Sequence, residues 1–317
     1  MRHVVTGCAG FVGTHLSRRL LADGHEVVGI DCLTDYYDLS IKQRNLDGLL
    51  SEPNFRHELV DISDDAAPLA SLLDGVHTVF HLAAQPGVRG SWASGFSVYA
   101  SNNILGTQRL LEAAKSSGVA RLVYASSSSV YGNVGALKLR EDAVPSPYSP
   151  YGVSKLAAEH LVCAYAQNFG FPGVSLRFFT VYGPGQRPDM AFHRLFNALR
   201  DGTQFPLFGD GTQAREFTFV TDIVEACVRS STSELEPGAV MNLSGGTLAT
   251  LNDVFATAER VSGKVLNIDR LDAVAGDVAV TSADTDRAAE LLDWRPSVSM
   301  EDGLAAQWDW HVSLKDS

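Results

Sequence analysis

Residues Thr6-Gly7-Cys8-Ala9-Gly10-Phe11-Val12-Gly13 set three glycines at G-x-x-G-x-x-G, between a short apolar run at 4–5 and an amphipathic stretch at 11–22. A strand, a glycine turn and a helix in that order let backbone N–H groups and a helix N-terminus approach a pyrophosphate with no side chain in the way. Gly7, Gly10 and Gly13 supply the close approach, and Phe11 and Val12 open the helix. Eighteen residues after Gly13 comes Asp31, an acid at the end of the apolar run 26–30. Such an acid accepts hydrogen bonds from both adenosine ribose hydroxyls and repels a 2′-phosphate, so the pattern favours NAD over NADP.

Short apolar runs alternate with amphipathic stretches from the first residue. Strands are predicted at 4–5, 26–30, 55–60, 78–81, 121–125 and 174–178, with the clearest helices at 11–22, 97–117 and 151–169. Fully apolar strands separated by helices predict an α/β fold, a Rossmann-like doubly wound parallel sheet with helices on both faces. After about residue 179 the rhythm breaks into Pro/Gly-rich turns and helices near 191–200, 222–230 and 252–262. The run 240–243 reads as another strand of the first sheet. The expected division is an NAD-binding domain at 1–179, with the chain returning at about 216–246. A smaller mixed α/β substrate domain then takes 180–215 and 247–317.

The net charge of −12 over 317 residues argues against nucleic acid or an anionic membrane as partner, since both reward a basic surface. An acidic chain with an anionic ligand must concentrate its cations locally, which draws attention to Arg89, Arg187 and Arg215. The four cysteines (Cys8, Cys32, Cys163, Cys227) are scattered without C-x-x-C spacing, predicting a reduced, cytoplasmic protein. The start, Met1 to Gly7, enters a strand directly and shows no signal-peptide pattern. No apolar run approaches the roughly 18 residues of a membrane helix. The nine histidines form no H-E-x-x-H set, and no metal is expected.

Further along, Asp61-Ile62 and His81-Leu82-Ala83-Ala84 end two of the expected strands, at the sheet edge where a dinucleotide lies. Asp61 is placed to bond an adenine amine, and Ala83 and Ala84 leave room for the cofactor. Tyr151 and Lys155, four apart on a helix, fall on one face with about 5–6 Å between Cβ atoms. An ammonium near a phenol favours the phenolate and lowers its pKa from about 10. That suits Tyr151 to take a proton from a hydroxyl.

With Gly7/Gly10/Gly13, Asp31, His81-Leu82-Ala83-Ala84, the run 124–132 (YASSSSVYG) and Tyr151-Gly152-Val153-Ser154-Lys155 in order, the chain resembles the extended short-chain dehydrogenase/reductases over nearly its whole length. Within them it is similar to the nucleotide-sugar 4-epimerases, most of all those acting on UDP-glucuronate. The residues that carry this are Asp35-Tyr36-Tyr37-Asp38, Gln85 to Arg89, Ser126 to Ser129, and the run from Arg177 through Gly183-Pro184 to Arg187-Pro188-Asp189-Met190.

The resemblance implies NAD as cofactor and a UDP-sugar as substrate, with Tyr151 as base and Lys155 holding the nicotinamide ribose. It also implies that Ser127 bonds the reacting sugar oxygen, that Asn103 lies near the cofactor, and that Arg215 grips the diphosphate. Thr180 stands where galactose-type epimerases usually carry Asn, which suggests a hydroxyl donor for a C5 carboxylate. Ser127, Ser128, Thr180, Arg187 and Arg89 are the candidate carboxylate donors. The 4,6-dehydratases carry an acid pair at the positions of Ser128 and Ser129, and UDP-glucuronate decarboxylases carry Glu at the second. Two serines disfavour both chemistries. The implied reaction is C4 oxidation to a 4-keto sugar, rotation of the sugar and hydride return. A 4-epimerase of another nucleotide sugar, a non-catalytic NAD-sensing protein and a net redox or decarboxylating enzyme remain as alternatives. Relatives pair the helices at 97–117 and 151–169 across a homodimer contact. Apolar stripes at Leu105, Leu110 and Leu111 and at Leu156, Leu161 and Ala164 allow the same here.

Overall fold

The computed structural model describes residues 1–133, 138–272 and 280–314. Residues 273–279 and 315–317, parts of the stretch expected to complete the substrate domain, lie outside the described residues. Seven short strands form the large sheet: β1 Arg2–Thr6, β2 Glu26–Ile30, β3 Phe55–Glu58, β4 Thr78–His81, β5 Arg121–Ser127, β6 Gly173–Phe178 and β7 Val240–Leu243. All neighbours are parallel in the order β7-β6-β5-β4-β1-β2-β3. Strand order reverses between β1 and β4, which opens a crevice at the carboxyl ends of these two strands.

Both faces of the sheet are covered, as apolar parallel strands require. On one face Val5, Val27, Phe80, Val123 and Leu176 pack with Leu16 and Leu20 of α1 (Phe11–Ala22). On the other, Val4, Val28, Val79 and Leu122 meet Leu110, Leu111, Ala158 and Val162. A third core, built on Phe192, Phe196, Phe205, Phe217 and Phe255, belongs to the second half of the chain.

Three expectations shift. The third strand stops at Glu58 instead of 60 because β2 ends at Ile30, the partner of Glu58. Val60 and Asp61 then turn into the crevice. The fifth strand runs two residues further, to Ser127, because Ser126 and Ser127 pair with Arg177 and Phe178 of β6. The helix expected at 97–117 has three parts: Phe96–Tyr99, a π-helical segment Ala100–Leu105, and α3, Gly106–Ser116. α2, Leu39–Leu50, capped by Asp38, carries only three buried side chains and so left a weak apolar period.

Smaller sheets complete the fold. One joins Leu248–Thr250, Ala214–Glu216, Val280–Ala283 and Lys138–Leu139, and another pairs Asn267–Leu271 with Gln204–Phe208. No helix among the described residues is long and apolar enough to cross a membrane.

Candidate active site

The crevice is a cleft of about 530 Å³. Among its lining residues are Gly7, Gly10, Phe11, Val12, Gly13, Asp31, Asp61, Ile62, Leu82, Ala83, Ala84, Ser127, Ser128, Tyr151, Lys155, Thr180 and Arg187. Residues far apart in sequence thus share one wall because every parallel strand delivers its carboxyl end to the same edge.

The glycine turn fits a dinucleotide pyrophosphate. Gly7 has φ +73°, and a Cβ there would lie 2.9 Å from the Ala83 nitrogen. A Cβ on Gly13 would lie 2.1 Å from the Gly7 carbonyl oxygen, so the turn closes only without side chains. No side chain caps α1 at Gly10, leaving its N-terminus open to an anion. Asp31 accepts from the Ala9 N–H at 3.2 Å and the Leu33 N–H at 2.9 Å. Lys42 stands 3.9 Å from the same carboxylate. Sequence reasoning missed Lys42, which lies on the unrecognised α2.

Behind the cofactor wall runs a buried hydrogen-bond chain. The Ala83 N–H donates to the Thr6 hydroxyl at 3.1 Å, and Thr6 meets His81 Nδ1 at 2.8 Å. His81 Nε2 meets Thr107 at 2.9 Å, and Thr107 donates to the Asn103 carbonyl at 2.6 Å. Because Thr107 spends its proton on that carbonyl, His81 carries its own proton on Nε2. Burial pushes His81 down to about 3, so it stays neutral.

α4, Pro150–Phe169, starts under a Ser149 cap and ends at left-handed Gly170. Its second residue is Tyr151. A Cβ on Gly152 would lie 2.5 Å from the Ser129 carbonyl, so glycine lets the helix start press against the serine turn Ser128–Val130. The Ser127 hydroxyl accepts from the Ser129 N–H at 3.2 Å and faces the Tyr151 phenol closely enough to hold its pKa down.

The electrostatics depart from the expectation. Burial raises the Tyr151 pKa, and the opposing influences are the Ser127 hydrogen bond and the Arg187 charge, not Lys155. The Lys155 side chain runs inward and sets its ammonium over the Tyr124 ring, 4.5 Å from the centroid. Burial lowers its pKa to about 7, with Glu159 pulling the other way. Glu159, one turn along α4, is gripped by Arg177 through bonds of 2.6 and 3.0 Å and accepts from Ser126 at 2.5 Å. This bidentate buried pair ties the ends of β5 and β6 to α4.

Three expected residues stand elsewhere. Asn103 lies behind the wall: its Oδ1 accepts from the Gln85 N–H at 2.7 Å, and its Nδ2 donates to Ser154 at 2.9 Å. Its neighbour Asn102 lines the cleft instead. Arg89 is exposed and stacks its guanidinium 5.1 Å from the Phe208 ring centroid. Arg215, half-buried on Ala214–Glu216, donates to its neighbour's carbonyl at 2.9 Å and does not line the cleft. The cleft also holds Tyr36 and Asp189, side chains to which the sequence reading gave no role. No group of three or more His, Cys, Asp or Glu among the described residues could hold a metal.

Comparison with known proteins agrees with this geometry. The NAD dependent epimerase/dehydratase family matches residues 3–244. An uncharacterized UDP-glucose epimerase of Bacillus subtilis, YtcB, is 45% identical over 99% of both chains. The UDP-glucuronate 4-epimerase of Thermodesulfobacterium geofontis is 38% identical over 97% of this chain and 95% of its own. The crystal structure of UDP-glucuronic acid 4-epimerase from Bacillus cereus, in complex with UDP-glucuronic acid and NAD, superposes with a TM-score of 0.94. It is 41% identical over 99% of this chain and all of that one. A dinucleotide turn, a serine and tyrosine side by side and a buried lysine in one cleft, with relatives matched end to end, place this chain in the NAD-dependent epimerase/dehydratase family.

Proposed function

We propose that the protein is an NAD-dependent isomerase that inverts C4 of a UDP-sugar, converting UDP-glucuronate to UDP-galacturonate. The observation that carries this reading is Tyr151 sharing one cleft with Ser127, Ser128, Ser129, Thr180 and the dinucleotide turn. That wall offers hydroxyl donors to a carboxylate and no acid to drive elimination.

NAD, when bound, supplies a hydride acceptor that returns what it takes. The glycine turn would hold its pyrophosphate, Asp31 the adenosine ribose, Asp61 the adenine amine and Lys155 the nicotinamide ribose. Asn103, behind the wall, fixes the Gln85 backbone and α4 in relation to each other. Tyr151 takes the proton of the sugar 4-OH and later gives it back on the opposite face, while Ser127 holds the sugar oxygen. Arg215, outside the cleft lining, would have to swing inward to anchor the diphosphate as the sugar turns. Ser128, Thr180 and Arg187 hold the carboxylate, with charge-assisted bonds of about 1.5–3 kcal/mol each. Arg89 stays outside this set, its guanidinium committed to Phe208.

The division into an NAD-binding unit at 1–179 and 216–246 and a sugar-binding unit at 180–215 and 247–317 belongs to the same reading. So does a homodimer. Leu110 and Leu111 turn out to be core, but Val98, Leu105 and Val153 are 46%, 41% and 45% exposed on the two helices, and light scattering after size exclusion measures the mass. All four cysteines are unpaired, which suits the reducing cytoplasm.

The deciding experiment incubates the protein with a panel of nucleotide sugars and reads product stereochemistry by NMR. Formation of UDP-galacturonate supports the reading. Turnover of a neutral UDP-hexose alone transfers the assignment to the second reading, which the name of the Bacillus subtilis relative favours. Thr180→Ala is expected to weaken UDP-glucuronate turnover about tenfold and to release CO₂; no change in rate, affinity or CO₂ removes Thr180 from the carboxylate site.

A further inference from the structure

The motif Asp35-Tyr36-Tyr37-Asp38 and the acid of Arg187-Pro188-Asp189 have no part in the chemistry above, yet the fold brings them together at the mouth of the cleft. Arg187 Nε donates to Asp189 Oδ1 at 3.0 Å, and one Nη donates to Oδ2 at 3.0 Å. Tyr36, from the far side of the crevice and 153 residues away in sequence, donates to the same Oδ2 at 3.4 Å. Tyr36 is itself located by Gly87, where a Cβ would lie 2.4 Å from its hydroxyl. Only glycine, at φ +99°, lets that loop pass. Tyr99 pins the loop from behind, its single hydroxyl proton shared between the carbonyls of Pro86 at 2.9 Å and Gly87 at 2.8 Å. The loop 187–190 is short and stiff, with Pro188 inside it and the Met190 N–H donating to the Arg187 carbonyl at 3.1 Å.

We infer that Asp189, held by Tyr36, is a positioning residue that fixes the Arg187 fork edge-on, so that only its remaining Nη is offered to the sugar carboxylate. The inference rests on the substrate reading above. A guanidinium with two of its three nitrogens committed cannot swivel around its ligand. A carboxylate held from one fixed direction keeps the C5 substituent, and with it the ring pucker, in one orientation, and that orientation decides the fate of the 4-keto sugar. If the C5–carboxylate bond turns perpendicular to the ketone, that bond breaks. Its electron pair passes into the ketone as an enolate, CO₂ leaves, and the enolate takes a proton from water. If the bond stays near the carbonyl plane, the carbon skeleton survives until hydride returns. Asp189 therefore acts on the partition between inversion and decarboxylation, through Arg187 and without touching the reacting atoms.

The test compares wild type, Asp189→Asn and the milder Tyr36→Phe. Three quantities are read: CO₂ per epimer formed from UDP-glucuronate, the ratio of Kd values for UDP-glucuronate and UDP-glucose by calorimetry, and Tm. Asp189→Asn is expected to raise CO₂ per epimer at least tenfold and to lower the preference for UDP-glucuronate at least threefold. Tyr36→Phe is expected to move both in the same direction by less. An Asp189 that merely stabilised the loop would lower Tm and slow turnover with the partition unmoved, and that result overturns the inference while the epimerase reading stands. A wild-type enzyme that neither binds nor turns over UDP-glucuronate overturns both.

Discussion

Lys155 carries an amine into a site only 3% exposed, and burial takes its pKa down to about 7 from the ordinary 10.5. Between those two values the unfolded chain holds a proton that the folded chain has released, so at neutral pH the residue costs stability. Glu159 does not need Lys155 as a partner, because Arg177 and Ser126 already engage it. Lys155→Met is therefore expected to raise Tm by about 2–4 °C for each kcal/mol recovered while turnover falls by roughly 10²–10⁴. A thermal melt and a rate assay measure the two halves, and a variant that melts lower contradicts this account of the site. That Tyr151 and Lys155 share one wall was legible from their spacing on a helix, and Ser127 joined them only through the resemblance. The direction of the Lys155 ammonium was not, since it depends on Tyr124, a ring delivered by another strand.

Elements were legible in proportion to how regularly they bury apolar side chains. β1, β2 and α1 came within a few residues of their observed bounds, whereas α2 passed unnoticed, and Lys42 with it. The π-helical turn at Ala100–Leu105 left no periodic trace, yet it decides that Asn102 faces the cleft and Asn103 faces Gln85. Extra residues of this kind cluster at functional sites. At the glycine turn local rule and structure agree, and a substitution there has a definite sign. Gly13→Ala puts a Cβ 2.1 Å from a backbone oxygen that cannot move aside. It is expected to lower Tm and to weaken NAD binding at least tenfold, by the loss of about 1.4 kcal/mol or more. Gly48→Ala serves as control. It sits exposed inside α2 with only the end of the Arg18 side chain nearby, and is expected to gain about 0.5–1 kcal/mol. Melting and NAD titration on both variants separate fold from cofactor grip.

Across the whole molecule, several buried histidines are stored in their neutral form. His3 is held down to about 4, chiefly by burial and then by His25 and His77, and both of its ring nitrogens lack partners. His81 and His311 are each held down to about 3, again mainly by burial. Above pH 6.5 these rings are neutral folded or unfolded, and they favour neither state. From 6.5 down towards 4 only the unfolded chain takes up their protons, so stability falls with pH by about 1.4 kcal/mol per unit for each ring. Urea melts between pH 7.5 and 5 are expected to show this slope. His3→Phe is expected to remove about a third of the part owed to these three rings, and an unchanged slope would refute the assignment. None of this was visible in the sequence, where the nine histidines looked scattered.

The late return of the chain to its first sheet has a consequence for how the protein can be divided. β7 is made of residues 240–243 and covers the outer side of β6. A fragment stopped at residue 179 would thus end with an uncapped row of peptide groups along an apolar strand, a surface that invites other chains to add to it. Such a fragment is expected to come down as aggregate when expressed alone and to be rescued by supplying residues 180–317 in trans. The seven-stranded sheet is therefore complete only once residue 243 has left the ribosome, and a nascent chain halted before that point is expected to be a client for chaperones.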